Sequence, residues 1–231
     1  MDQSALNLLR FSYGYESVSS FPAKLTATQL KGRTQDQEAA EGGAELERRA
    51  AYQFRRAAFL QRNLTAAEKG TAIHLFMQFA RYEACTTMED LEGELHRLRM
   101  QEFLTPEQAE AVDLQKVLTF FRSRLGEWLL QQPNLQREFK FSILSDAGAY
   151  APQAAGEQVM LQGVVDCFVL QQDGITILDF KTDRVGNQLA ERAAYYRPQL
   201  DAYADALARI YDIPVKRRIL YFFDAGQAIS I

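Results

Sequence analysis

The chain is poor in the residues that build several common kinds of site, and each shortage narrows its chemistry. Its 231 residues include two cysteines, Cys85 and Cys167, and two histidines, His74 and His96. The cysteines lie far apart and form no ligand-like pair, which argues against a zinc or iron–sulfur site built by this chain alone and points to a reduced setting. No apolar run is long enough to cross a bilayer and no charged-then-apolar leader opens the sequence, so it reads as a soluble, cytoplasmic chain with no membrane partner. No Gly-x-x-x-x-Gly-Lys-Ser/Thr loop occurs, so a nucleotide-driven motor of that type is absent. Nor is there an excess of positive charge: the formal net charge is −4, which argues against gripping a polyanion by bulk charge. The 47% hydrophobic content is ample for the core of one fairly large domain.

Local basic clusters remain. Arg48, Arg49, Arg55, Arg56, Arg62 and Lys69 crowd one region, and Lys216-Arg217-Arg218 precedes the last strong strand. Solvated helix faces are the ordinary explanation for such residues.

Residues 1–32 show no clear period and read as an extended connector from a preceding domain, with Ser17-Val18-Ser19-Ser20-Phe21-Pro22 as its clearest part. That aperiodic opening suggests a domain cut from something larger. From Arg33 to Arg62 a mobile stretch with a Gly42-Gly43 break should pass into helix. Thr65-Ala66-Ala67-Glu68 is a capping box opening a helix with Ile73, Phe76, Met77 and Ala80 at helical spacing, and His74 beside its buried face. A second amphipathic helix covers roughly Met88 to Met100. There His96, among Glu94, Arg97 and Arg99, has no assigned role.

Thr105-Pro106-Glu107-Gln108 opens a third helix, with Val112, Val117, Leu118, Phe121 and Leu125 as its packing stripe. After Pro133 the period becomes alternating: Leu135, Arg137, Phe139, Phe141 and Ile143 share one parity of a strand. Asp146 to Glu157 reads as a loop. Two strands follow, Val159 to Leu170 and Ile175 to Lys181, joined through Gln171-Gln172-Asp173-Gly174, an Asp-Gly hairpin signal. A helix ending near Tyr211 comes next, in which Pro198 marks a kink or a late start. Ile219-Leu220-Tyr221-Phe222-Phe223 and a short piece from Gln227 to Ile231 are the last strands. A helical crossover before the penultimate strand predicts a parallel pairing, hence an α/β fold with a mixed sheet.

Asp179-Phe180-Lys181 carries the chemical information. Strand residues two apart share a face, so Asp179 and Lys181 emerge together while Phe180 turns into the core. A strand this apolar belongs in the middle of a sheet, where an ionised carboxylate is costly unless compensated, and a metal ion would compensate it. The hairpin brings a second carboxylate, Asp166, alongside. Two carboxylates and a lysine on adjacent strands are the parts of a magnesium-dependent phosphodiesterase site, with Lys181 orienting or deprotonating water or stabilising the transition state. The main-chain carbonyl of Phe180 is a further candidate ligand. His74 qualifies because Gly70-Thr71-Ala72 lets another group approach its helix one turn earlier. Gln199 and Tyr203, four apart on a helix, share a face. Glu138 has the parity opposite to Phe139, which suits the solvent face as readily as a metal face. Each residue also has an ordinary explanation: His74 as packing, Asp179 with Lys181 as a strand-end ion pair, Asp166 as a hairpin-edge charge.

Five blocks in order, Leu64-Thr65-Ala66-Ala67-Glu68-Lys69-Gly70-Thr71-Ala72-Ile73-His74, Arg137-Glu138-Phe139-Lys140-Phe141, Gly163-Val164-Val165-Asp166, Leu178-Asp179-Phe180-Lys181-Thr182-Asp183-Arg184-Val185 and Tyr196-Arg197-Pro198-Gln199-Leu200-Asp201-Ala202-Tyr203, resemble the C-terminal nuclease domain of AddA-type, RecB-like bacterial helicase-nucleases. The likeness runs from about Lys24 to Ile231. It implies a restriction-endonuclease-like fold of the PD-(D/E)xK type over residues 33–231, a mixed sheet flanked by helices with additional N-terminal helices. It implies Mg²⁺, replaceable by Mn²⁺, and cutting of single-stranded DNA in double-strand break repair and recombination. His74, Asp166 and Asp179 match the family's metal ligands, Lys181 its catalytic lysine, and Glu138, Gln199 and Tyr203 its accessory positions. The implied partners are DNA, helicase motor domains of the same full-length chain, and a second, AddB-like subunit. The alternative is a catalytically silent DNA-binding or subunit-docking module of the same fold, which would have no need to keep His74, Asp166, Asp179 and Lys181 together. An RNase or structure-specific nuclease is a third reading.

Overall fold

A computed structural model describes residues 21–31, 65–186 and 188–231. The expected mobile stretch and helix between Arg33 and Arg62, five arginines of the basic cluster (Arg48, Arg49, Arg55, Arg56 and Arg62) and the connector before Phe21 lie outside the described residues. The strands are β1 (Lys24–Thr26), β2 (Leu135–Asp146), β3 (Gln158–Gln171), β4 (Gly174–Lys181), β5 (Val215–Phe222) and β6 (Gln227–Ser230). The helices are α1 (Ala66–Phe79), α2 (Met88–Met100), α3 (Pro106–Ala111), α4 (Leu114–Phe121), α5 (Arg124–Leu130) and α6 (Leu189–Tyr211). Six strands form a mixed sheet in which β1, β3, β4, β5 and β6 are successive neighbours and β2 also pairs with β3.

Two compact units divide these elements: one holds 27–141 and 163–231, the other 142–162 with the residues up to Thr26. In the larger unit β4 is buried along its whole length, because it lies between β3, antiparallel to it, and β5, parallel to it. The parallel pair is joined by α6, the crossover expected from the sequence. Helix α6 begins at Leu189 and continues through Pro198, so the proline marks no late start. On one sheet face Phe180, Tyr221 and Phe223 meet the ring of Phe120 on α4, with centroids 5.3, 4.7 and 6.0 Å apart. Asp179 and Lys181, of opposite parity, share their face with Leu220 and Phe222 of β5.

The hairpin differs in detail from the Asp-Gly turn. Gln171 pairs with Gly174, so Gln172 and Asp173 form the turn and Gly174 is already in the strand. Its missing side chain accommodates a neighbour: a Cβ there would lie 2.7 Å from Lys216 Cγ.

Capping boxes at Thr65, Thr87 and Thr105 start α1, α2 and α3. The single third helix expected after Thr105 is instead three short ones. Asp113 caps α4 by accepting from Lys116 N (3.2 Å), and Ser123 caps α5 by accepting from Gly126 N (3.1 Å). Both side chains offer the backbone an alternative to continuing helix, which a stripe of apolar spacing does not reveal.

In the smaller unit β1 runs parallel to β3, with Leu25 opposite Leu161. The segment read as extended connector thus contains a sheet strand, whose three residues are too few to show a period. Asp146 accepts from Gly148 N (2.9 Å) and opens the first of two 3-10 turns in the expected loop. Both cysteines are buried free thiols, and no helix among the described residues is long and apolar enough to cross a membrane.

Candidate active site

The β3–β4 ladder runs from Gln171 opposite Gly174 to Cys167 opposite Leu178. Just beyond it, Phe180 N–H donates to the side chain of Asp166 (2.8 Å to Oδ2). Asp166 is thereby drawn against the end of β4. The same Oδ2 stands 3.5 Å from His74 Nδ1. On β4 itself Lys181 Nζ lies 2.5 Å from Asp179 Oδ2. The imidazole, both aspartates and the ammonium, drawn from α1, β3 and β4, therefore gather at one place.

The electrostatics follow from burial of several charges together. Burial pushes the Asp179 carboxyl up and the charge of Asp166 adds to this, while the Lys181 ammonium opposes it; the net direction is upward. Burial alone would also raise Asp166, but the charge and hydrogen bond of His74, with Lys181 and the Phe180 amide, hold it below the usual carboxylate range. For His74, burial favours the neutral ring and is outweighed by Asp166 and Asp179, so its affinity for a proton rises. Glu138 is pushed up by burial and by Asp166.

Negative charge is in surplus here. Asp179 Oδ2 is fully buried, yet it takes no hydrogen bond, because its close approach to Lys181 is poorly aligned for one. Among the described residues no three His, Cys, Asp or Glu side chains form a ready-made metal cage: Asp179 leans on Lys181, and Asp166 on His74 and the Phe180 amide. The donor set nevertheless fits a hard divalent cation, with carboxylate oxygens, one imidazole and an orphaned buried oxygen available to it.

Glu138 reaches this place by an irregularity that strand alternation does not show. Its φ of 50° is left-handed, which breaks the pleat of β2 and brings the carboxylate within electrostatic reach of Asp166 and His74. The Phe180 main chain also meets the site, through its amide, while its ring packs 5.6 Å from that of Phe223. Gln199 Oε1 accepts from Lys181 Nζ (3.2 Å), and Gln199 Nε2 donates to Tyr203 Oη (2.6 Å); both residues are buried. All eight candidate residues are thus within one connected neighbourhood.

Helix α1, which carries His74, is held near both ends. A Cβ on Gly70 would lie 2.5 Å from Thr182 Oγ1, so the helix touches the chain just beyond Lys181. At its C-terminus Arg137 Nη1 donates to Met77 O (3.1 Å) and Ala80 O (2.6 Å), and its guanidinium covers the Tyr82 ring at 4.5 Å. Tyr82 Oη donates to Met77 O (2.8 Å), and Arg97 Nη2 to Phe79 O (2.9 Å). Arg97 is held in turn by Glu94, a buried carboxylate that also binds Arg81. These cations satisfy carbonyls left open at a helix end.

Sequence reasoning missed Arg137, Glu94 and Tyr196. Tyr196 lies three residues before Gln199 and seven before Tyr203, a spacing that puts all three on one helix face and was a usable signal. Arg137 was read only as part of a buried parity. The basic run before the last strong strand has structural partners: Lys216 contacts Asp173, Arg218 contacts Asp201, and Arg217 sits 5.9 Å from the Trp128 ring.

A mixed sheet whose central strand ends in a buried Asp-Phe-Lys, flanked by a carboxylate from the adjoining strand, has the form of a nuclease core. Residues 47–229 match the family model described as the PD-(D/E)XK nuclease superfamily, and the chain belongs to that superfamily. Such nucleases generally use divalent metal ions. The chain is 36% identical over 237 residues to the AddA subunit of the ATP-dependent helicase/nuclease from Bacillus mycoides (strain KBAB4) and to that from Bacillus thuringiensis subsp. konkukian (strain 97-27). It is 36% identical over 234 residues to the corresponding protein of Bacillus anthracis. Each likeness covers 96% of this chain and 19% of the relative, so the chain spans about a fifth of the length of these proteins. Among solved structures it is similar to that of SSO0001, with 16% identity and a TM-score of 0.35, over 69% of this chain and 64% of the other.

Proposed function

We propose that the chain is a magnesium-dependent deoxyribonuclease domain that hydrolyses phosphodiesters of single-stranded DNA. The observation that carries this reading is the convergence of His74, Asp166, Asp179 and Lys181 at the end of β4, with one buried Asp179 oxygen unsatisfied. His74, Asp166, Asp179 and the Phe180 carbonyl would hold the ion, with Mn²⁺ as a substitute for Mg²⁺. Bound there, a divalent cation neutralises phosphate oxygens and makes water a better nucleophile near neutral pH.

The chain's own residues do the rest. Lys181 keeps an ammonium in a largely water-excluded place, where it stabilises charge developing on the phosphate. Gln199 holds that ammonium through Oε1 and is itself fixed by Tyr203. Glu138 adds a carboxylate beside Asp166 and His74, in a position to keep the imidazole oriented. The α1 clamp keeps His74 at this distance when a strand of DNA presses on the site.

The relatives carry the name of an ATP-dependent helicase/nuclease. A helicase separates duplex strands, so a nuclease domain attached to one meets single strands. On that basis the domain works in the cytoplasm with helicase motor domains of a longer chain and a second, AddB-like protein, in double-strand break repair and recombination.

The test is cleavage of end-labelled single-stranded DNA, with duplex DNA and RNA as competitors for the assignment, in Mg²⁺ with and without chelator. Asp179→Ala is expected to abolish cutting while binding of single-stranded DNA persists. Magnesium-dependent cutting that survives in this variant would remove the assigned site.

A further inference from the structure

Lys181 has a third neighbour besides Asp179 and Gln199. Its Nζ stands 4.2 Å from the centroid of the Tyr196 ring, over the face. Tyr196 lies on α6 one turn before Gln199, is 6% exposed, and has its hydroxyl fixed by donating to Asp183 Oδ2. The Lys31 ammonium also covers this ring, at 5.1 Å. An aromatic face attracts an ammonium without accepting its proton and without competing for a metal ligand.

We infer that Tyr196 is a positioning residue for Lys181, its ring holding the ammonium in place when Asp179 is engaged elsewhere. The inference rests on the nuclease reading given above. Its physical basis is a conflict between two demands on one carboxylate. Asp179 holds Lys181 in the structure as it stands, and Asp179 is also the buried oxygen donor best suited to a cation. A lysine held only by that carboxylate would lose its anchor whenever Asp179 turned to another positive charge. Gln199 supplies one hydrogen bond, which fixes a direction. The Tyr196 face supplies an attraction spread over the ring, and the Asp183 hydrogen bond keeps the ring from rotating away.

Two substitutions separate the parts. Tyr196→Phe keeps the face and loses the Asp183 bond; Tyr196→Leu loses both. On single-stranded DNA with Mg²⁺, Tyr196→Leu is expected to lower kcat about 10-fold with KM changed less than about 2-fold, and Tyr196→Phe to retain most of the rate. In a Lys181→Gln background, Tyr196→Leu should have no further effect on kcat, a coupling that a general loss of packing would not produce. A second measurement needs no activity. With lysines ¹³C-methylated, the Lys181 resonance, assigned by its absence from Lys181→Gln, should be displaced by the ring current, return toward the other lysines in Tyr196→Leu, and stay displaced in Tyr196→Phe.

An unshifted Lys181 resonance in the parent chain, or Tyr196→Leu additive with Lys181→Gln, would overturn the inference. A parent chain that cuts no DNA would instead overturn the nuclease reading, and the resonance would still decide whether the ring holds the lysine.

Discussion

Gly70 of α1 and Thr182, one residue past β4, stand so close that a Cβ at Gly70 would lie 2.5 Å from Thr182 Oγ1. The contact sets how near the helix carrying His74 comes to the strand carrying Asp179 and Lys181. Gly70→Ala therefore has to displace one of them, although alanine is the better helix former. We expect nuclease activity to fall at least about 10-fold, because misplacement of a reacting group by about 1 Å is sufficient for such a loss. Thr182 Cβ would be 3.6 Å from the added carbon, an ordinary contact, so Gly70→Ala with Thr182→Ala should recover most of what Gly70→Ala loses. Turnover of the double variant is compared with that of Thr182→Ala alone. A fully active Gly70→Ala would show that the close approach has no functional weight.

Glu138 combines a left-handed backbone with a half-buried carboxylate facing Asp166, two features that each cost stability. Glycine accepts this backbone without penalty. Glu138→Gly is expected to raise the unfolding free energy by about 1 kcal/mol in denaturant titrations and to lower nuclease activity. An unstable variant, or one of undiminished activity, would deny Glu138 its place in the site.

Much of this arrangement was legible before any coordinates, for identifiable reasons. Alternation along β2 and β3 and the apolar run of β4 fixed faces, because strand parity is strict, and three capping boxes marked helix starts. What stayed hidden is whatever breaks a period. The bulge at Glu138 leaves no compositional trace, since any residue type can occupy it under constraint. The division of the third helix was announced only by Asp113 and Ser123, polar residues inside an otherwise convincing apolar stripe. Arg137 and Glu94 were invisible because a buried charge is recognised by its partners, and Met77 O and Ala80 O lie about sixty residues away in sequence. His74, Asp166, Asp179 and Lys181 were found through residue type and order, which chemistry constrains more tightly than packing does.

Glu94 gives the α1 clamp a pH limit. Burial would raise its carboxyl, but hydrogen bonds from Arg97 and from the side chain and amide of Arg81 outweigh that and lower its pKa from 4.5 to about 2. A folded-state pKa below the unfolded one means that the stabilisation is complete above pH about 4.5 and disappears as the pH falls toward 2. The difference corresponds to on the order of 3 kcal/mol. Melting temperature should therefore fall steeply over this range in the parent chain. Glu94→Gln should start lower at neutral pH and change less on acidification. Parallel curves for the two would assign the acid lability to other carboxylates.

Arg137 ties the strand bearing Glu138 to the end of the helix bearing His74, through Met77 O, Ala80 O and the face of Tyr82. Arg137→Met keeps the apolar bulk but leaves these carbonyls with fewer donors, at a cost of about 2–3 kcal/mol. Lysine offers a point charge in place of a planar fork, so Arg137→Lys should recover only part of the loss. Amide exchange in the last turn of α1 is expected to quicken in Arg137→Met more than exchange in α6, which has no contact with this residue in the hydrogen-bond pattern. Because the fraying begins one turn beyond His74, kcat should fall with little change in KM. If exchange rises equally everywhere, Arg137 acts on global stability, and the link between β2 and the histidine helix has no separate role.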